Sequence, residues 1–169
     1  MVQRLALLSS ASSKATITSK TCCGITNNSA LPRMAYGDIN NDGRLDPLLS
    51  TNGGRAYLFE NDATGEAARQ KSLRIKLVGT KSNRDGIGTE VRITAAGETQ
   101  SQMLRSGSSY LSASELVLTF GLARHDRADS IEIRWPSGQV EKLSNIAAGQ
   151  TITVTEGKGV TASRTYGAP

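Results

Sequence analysis

The chain has 169 residues, 37% of them hydrophobic and only 4% aromatic, a balance that suits short strands and turns and disfavours a helical bundle. No apolar run reaches the ~20 residues that a membrane-spanning helix needs. The net charge of +5 sits near the N-terminus: residues 1–37 carry Arg4, Lys14, Lys20 and Arg33 and no acid. The remainder, from Asp38 onward, is close to neutral, which argues against a nucleic-acid footprint.

In chain order, residues 1–30 are acid-free and rich in Ser and Thr, and read as a disordered or targeting-like tail. The apolar stretch "LALL" is shorter than the core of an export signal, and the composition is similar to that of an organelle transit peptide. Cys22 and Cys23 are adjacent; a mutual disulfide would need strained geometry, so they read as incidental thiols. Asn27-Asn28-Ser29 fits a glycosylation sequon.

Residues 31–62 alternate strand and turn: "MAY", an Asp-rich loop, "PLLST", the turn "NGG" and then "AYLFE". A polar link over residues 61–71 marks a module boundary. From Leu73 onward, Leu73, Ile75 and Leu77 alternate with Arg74 and Lys76, the mark of a half-buried strand. Val91 and Ile93 repeat the pattern, and "AAGE" reads as a hairpin turn into "TQSQMLRS". "LVLTFGL", "DSIEIRWPSGQVEKL" with its Pro-Ser-Gly turn, and "TITVTE" complete about seven short strands. The expected fold is all-β: a small antiparallel sandwich or barrel over residues 71–157, with residues 158–169 as a tail.

The Asp-rich loop "YGDINNDGRLDPL" carries the chemistry. Asp38, Asn40 and Asp42 stand at positions 1, 3 and 5, Gly43 at position 6 permits a sharp turn, and Arg44 at position 7 offers its carbonyl while its side chain points to solvent. Asp46 closes the ring at position 9. Calcium takes 6–8 hard oxygen ligands, which such a loop can supply, whereas magnesium demands a smaller octahedral site and keeps its waters. An EF-hand is disfavoured because its closing Glu is here Leu49 and the flanks are strand-like. The alternative is an Asx-type turn whose side chains cap backbone amides. Pro47 removes a backbone donor, so its strand is expected to start after it or to lie at a sheet edge.

The pattern D-x-N-x-D-G-x-x-D resembles the calcium loop of FG-GAP or VCBS-type propeller repeats, over about residues 34–61. That resemblance implies a partial blade needing further blades, upstream in the same chain if it is truncated. Residues 71–156 resemble the ASPIC/UnbV domain, on "GTKSNRDGIGTEVRI", "RSGSSYLS", "LTFGL" and "IEIRWPSG". Proteins related to cartilage acidic protein and to the enediyne-cluster protein UnbV carry it after FG-GAP repeats. Thr89 and Ala113 depart from the usual pattern. The resemblance implies an exported, calcium-binding, adhesion-like protein, with an extracellular protein or glycan as partner.

Other segments have plainer readings. "NRDGIG" is a turn rich in positive-φ residues, and Trp135 is a core anchor on an alternating strand. "RSGSSYLS", with Arg105, Ser108, Ser109 and Tyr110, is either a ligand loop or a serine-rich turn pinning a strand, the second reading ranking first. Catalysis is not expected. The only histidine, His125 beside Asp126, reads as a solvated loop pair; no nucleophile elbow or phosphate loop is present. The expectation is a non-catalytic calcium-binding extracellular recognition module, the alternative an accessory or catalytic component of an enediyne-type biosynthetic pathway.

Overall fold

The computed structural model describes residues 18–19, 33–51, 54–107 and 111–167. Most of the expected tail over residues 1–30, with both cysteines and the sequon, lies outside them, as do Ser108, Ser109 and Tyr110. Two compact units emerge. The first is Met1–Ile39, Arg44–Arg69 and Gly107–Glu115; the second is Asn40–Gly43, Gln70–Ser106 and Leu116–Pro169. The chain thus passes between the units more often than a single boundary in the 61–71 link would have it.

The first unit holds a four-stranded antiparallel sheet built from β1 (Thr18–Ser19), β2 (Arg33–Gly37), β3 (Asp46–Ser50) and β4 (Tyr57–Glu60), in the order β1-β4-β3-β2. Within the supposed tail, Thr18 and Ser19 pair with Glu60 and Phe59. Pro47 lies in an inner strand, contrary to the edge expectation. It faces Tyr36 of β2, and the pairs with β4 begin only at Leu48, so the missing amide costs no bond to β4. A single 3₁₀ turn, Ala67–Arg69, follows.

The second unit holds two further four-stranded sheets. One runs β10 (Val140–Ala147), β9 (Arg127–Arg134), β6 (Glu90–Ala95), β7 (Glu98–Met103), all antiparallel. The other runs β12 (Gly159–Thr165), β11 (Gln150–Thr155), β5 (Ser72–Val78), β8 (Val117–Gly121). Neither closes into a barrel. Leu73, Ile75, Phe120, Ile152 and Val154 from one sheet and Val91, Ile93, Ile131 and Ile133 from the other share one core cluster, with Trp135. The period-2 spacing puts these residues on the inner face of each strand. At the sheet edges, Gln100 and Gln102 of β7 donate side-chain amides to the carbonyls of Gly121 and Thr119 at 2.7 and 2.9 Å, stitching β7 to β8.

Three expectations change. The sandwich is not purely antiparallel: β11 runs parallel to β5, with Ile152 opposite Ile75. Residues 158–169 are not simply a tail, because β12 pairs with β11 along its length. Arg74, placed by alternation on a solvent face, is only 4% exposed. It sits on a central strand with Thr119 and Thr151 opposite it on either side.

Candidate functional site

The loop over residues 38–46 joins β2 to β3, whose register sets Gly37 opposite Asp46. Asn41 and Gly43 take positive φ angles of 56° and 81°, which fold the loop back on itself. Glycine meets this conformation at little cost, and asparagine is the side-chain residue that tolerates it best. Asp46 is buried, and each of its carboxylate oxygens accepts an amide: Oδ2 from Ile39 N at 3.0 Å and Oδ1 from Asn61 N at 2.8 Å. Asn40 and Asp42 bond each other, Nδ2 to Oδ2 at 3.0 Å and Asp42 N to Asn40 Oδ1 at 3.2 Å.

Arg44 departs from its expected outward course, because its Nε donates to the carbonyl of Asn61 at 2.9 Å. Asp46 and Arg44 therefore grip the same residue, Asn61, one through its amide and one through its carbonyl. Among the described residues no group of three or more His, Cys, Asp or Glu stands together as a metal-holding cluster. The loop's own donor set is mixed: carboxylates of Asp38, Asp42 and Asp46, the Asn40 amide oxygen and the Arg44 carbonyl. These are all hard oxygens, which fits calcium by donor chemistry. Asp46 accepts two bonds where a carboxylate has about four lone-pair sites, so it retains coordinating capacity.

A second carboxylate is equally buried but receives more donors, and nothing local in the sequence points to it. Glu156 closes β11 at 1% exposure. Its Oε2 accepts the amides of Thr80, Lys81 and Ser82 at 2.8, 2.8 and 2.7 Å. Its Oε1 accepts the hydroxyl of Ser82 at 2.9 Å and that of Ser137. Burial alone would raise the Glu156 pKa, but the hydrogen bonds from Ser137, Ser82 and Thr80 outweigh it and bring the group to about 2. Thr80 Oγ1 reaches the Glu156 carbonyl at 3.1 Å, and Glu156 N donates to Val78 O at 2.9 Å. One side chain thus ties together the loop after β5, the turn between β9 and β10, and the turn between β11 and β12. "GTKS" and "PSG" are the two segments that supply its donors.

The remaining candidates have local roles. Arg105 is exposed beyond β7. Just past the serine-rich segment, Ser114 Oγ accepts Tyr36 N at 3.3 Å and Glu115 N donates to Tyr36 O at 3.1 Å, fastening this stretch to β2. His125 is exposed, and its neighbour Asp126 pairs with Lys71. Hydrogen bonding and charge from Lys71 hold Asp126 below the usual carboxylate range. His125 also borders a recess of about 30 Å³ with Glu98 and Gln100, room for about one water and far below a small-molecule pocket.

Residues 79–161 match the family model described as "ASPIC and UnbV". The matched ASPIC/UnbV segment covers just under half the chain. It contains Glu156 and the donors around it, whereas the loop over residues 38–46 lies outside it. A search of the curated proteins gave no match. A solved structure from Bacteroides ovatus, described as a "putative cell adhesion protein", aligns with 93% of this chain and 70% of its own at 10% identity and a TM-score of 0.37.

Proposed function

We propose that this chain is a non-catalytic, calcium-binding recognition module of an exported protein, with an extracellular protein or glycan as its partner. The observation that carries the reading is the loop over residues 38–46, where five hard oxygen donors alternate around Gly43 in a β-hairpin. The ASPIC/UnbV match supports it, because a calcium loop followed by such a segment is the order expected of an adhesion-like protein. The four-stranded sheet of the first unit is the size of one propeller blade. On this reading it is an FG-GAP or VCBS-type blade, with further blades upstream in the same chain if it is truncated.

Calcium would neutralise the carboxylates of Asp38, Asp42 and Asp46 and fix the hairpin between β2 and β3. Modules of this kind bind at ~10⁻⁴ to 10⁻³ M, adequate outside cells and poor inside them. Calorimetric titration of the full chain tests the proposal. Saturable binding in that range is expected, and Asp42→Ala should weaken it by at least about tenfold while Trp135 fluorescence stays native. Absence of binding up to about 10 mM, well beyond the range of such modules, would overturn it.

A further inference from the structure

The tip of the same loop is held by residues near the C-terminal end of the sequence. Asn40–Gly43 belong to the second unit, together with Ser72 and with Tyr166 and Gly167. Gly167 N donates to the carbonyl of Asn41 at 3.0 Å. Ser72 Oγ donates to the carbonyl of Gly43 at 2.8 Å and lies 3.1 Å from the Tyr166 hydroxyl. The Tyr166 ring covers Gly43 so closely that a Cβ there would overlap it. The grip is itself anchored, since Tyr166 N donates to Gly149 O at 3.1 Å and Gly149 N to Ser72 O at 2.8 Å.

The choice of atoms is informative. The ligand pattern draws on side chains at positions 1, 3, 5 and 9 and on the carbonyl at position 7. The two carbonyls gripped are those of Asn41 and Gly43, at positions 4 and 6, which the pattern leaves unused. Gly43 thus has two reasons to be glycine: its φ of 81° and the ring against it.

We infer that Tyr166, with Ser72 and the Gly167 amide, is a positioning group that orders the loop tip Asn40–Gly43, from which a cation would take Asn40 and Asp42. This inference rests on the calcium reading for its ligand, but the clamp can be observed without one. A ligand binding only the ordered loop has an apparent affinity reduced by the fraction of chains in that conformation. Loss of the clamp should therefore weaken binding without touching a donor atom.

The test uses the full chain and Tyr166→Ala. In calcium-free buffer, amide exchange over residues 40–44 should quicken about tenfold in the variant, with exchange at Ile131 and Ile133 unchanged. With calcium, the variant should bind about tenfold more weakly than the native chain. Unchanged loop exchange, or equal calcium affinity in the two proteins, would overturn the inference. If the native chain takes up no calcium, the calcium reading fails, and the exchange experiment alone decides the clamp. If Tyr166→Ala does not fold, Ser72→Ala and Tyr166→Phe, which remove one hydroxyl each, replace it under the same two outcomes.

Discussion

Glu156 and Asp46 are both carboxylates at 1% exposure, yet the protein treats them differently. Three amides and two hydroxyls converge on Glu156, more donors than a carboxylate has lone-pair sites. Its charge is answered entirely by the dipoles of its own chain. Asp46 receives two amides, one per oxygen, and stands in a loop with two further carboxylates, Asp38 and Asp42. A saturated carboxylate is a structural pin. On the calcium reading, Asp46 keeps the lone-pair sites that an external cation would use.

The largest effect expected from this contrast is at Glu156. Glu156→Ala strands five donors and should cost about 3 kcal/mol or more in denaturant unfolding followed by Trp135 fluorescence. Glu156→Gln returns one carbonyl oxygen to the three amides, and both serine hydroxyls can turn to accept from its amide group. Its cost should be smaller, about 1–2 kcal/mol. A loss under about 1 kcal/mol for the alanine variant would break the comparison, since five orphaned donors must cost more than that.

The pH dependence carries the same signature. Folding depresses the Glu156 pKa from 4.5 to about 2, so the unfolded chain binds the proton first as pH falls. The stability this group contributes is complete above about pH 4.5 and drains away between there and about pH 2. In Glu156→Gln that part of the acid limb should vanish from the pH profile of unfolding free energy.

Calcium sharpens the other half of the comparison. The stability gap between the native chain and Asp46→Asn should widen when calcium is added, by about 1.4 kcal/mol at tenfold excess over the dissociation constant. The cost of Glu156→Gln should be the same with or without calcium. The smallest effect concerns a hydroxyl with no acceptor at all: Thr89 is fully buried, and its Oγ1 has no hydrogen-bond partner. Thr89→Val should leave stability unchanged or raise it by up to about 1 kcal/mol, measured as a shift in melting temperature.

The strands were legible wherever a face is buried. Leu73, Ile75 and Leu77, like Val91 and Ile93, announce themselves by alternation, and all five enter the core. "AAGE" makes its turn with positive φ at Ala96 and Gly97. What stayed hidden depends on partners distant in sequence. Glu156 sits in an ordinary "TEGKG" turn, and nothing local shows that amides more than 70 residues upstream converge on it. β12, "GVTASRT", is almost wholly exposed and so has no apolar period to read. The side chain of Arg44 reads as solvent-directed because nothing local marks the carbonyl of Asn61, 17 residues on, as its acceptor. Tyr166 reads as part of a tail because only its contact with Gly43, 123 residues upstream, gives it meaning.

The parallel pair of β5 and β11 has a consequence for biosynthesis. Ile75 must wait for Ile152, about 77 residues later, which at ~5–20 residues per second is about 4–15 s of translation. β8 comes sooner and can cover one flank of β5, but the other flank stays open with Leu73, Ile75 and Leu77 already made. Pairings so distant in sequence are slow to form even in a complete chain. A ribosome stalled before residue 150 would therefore present an unfinished sheet with its central strand as a live edge, a target for chaperones and for other nascent copies.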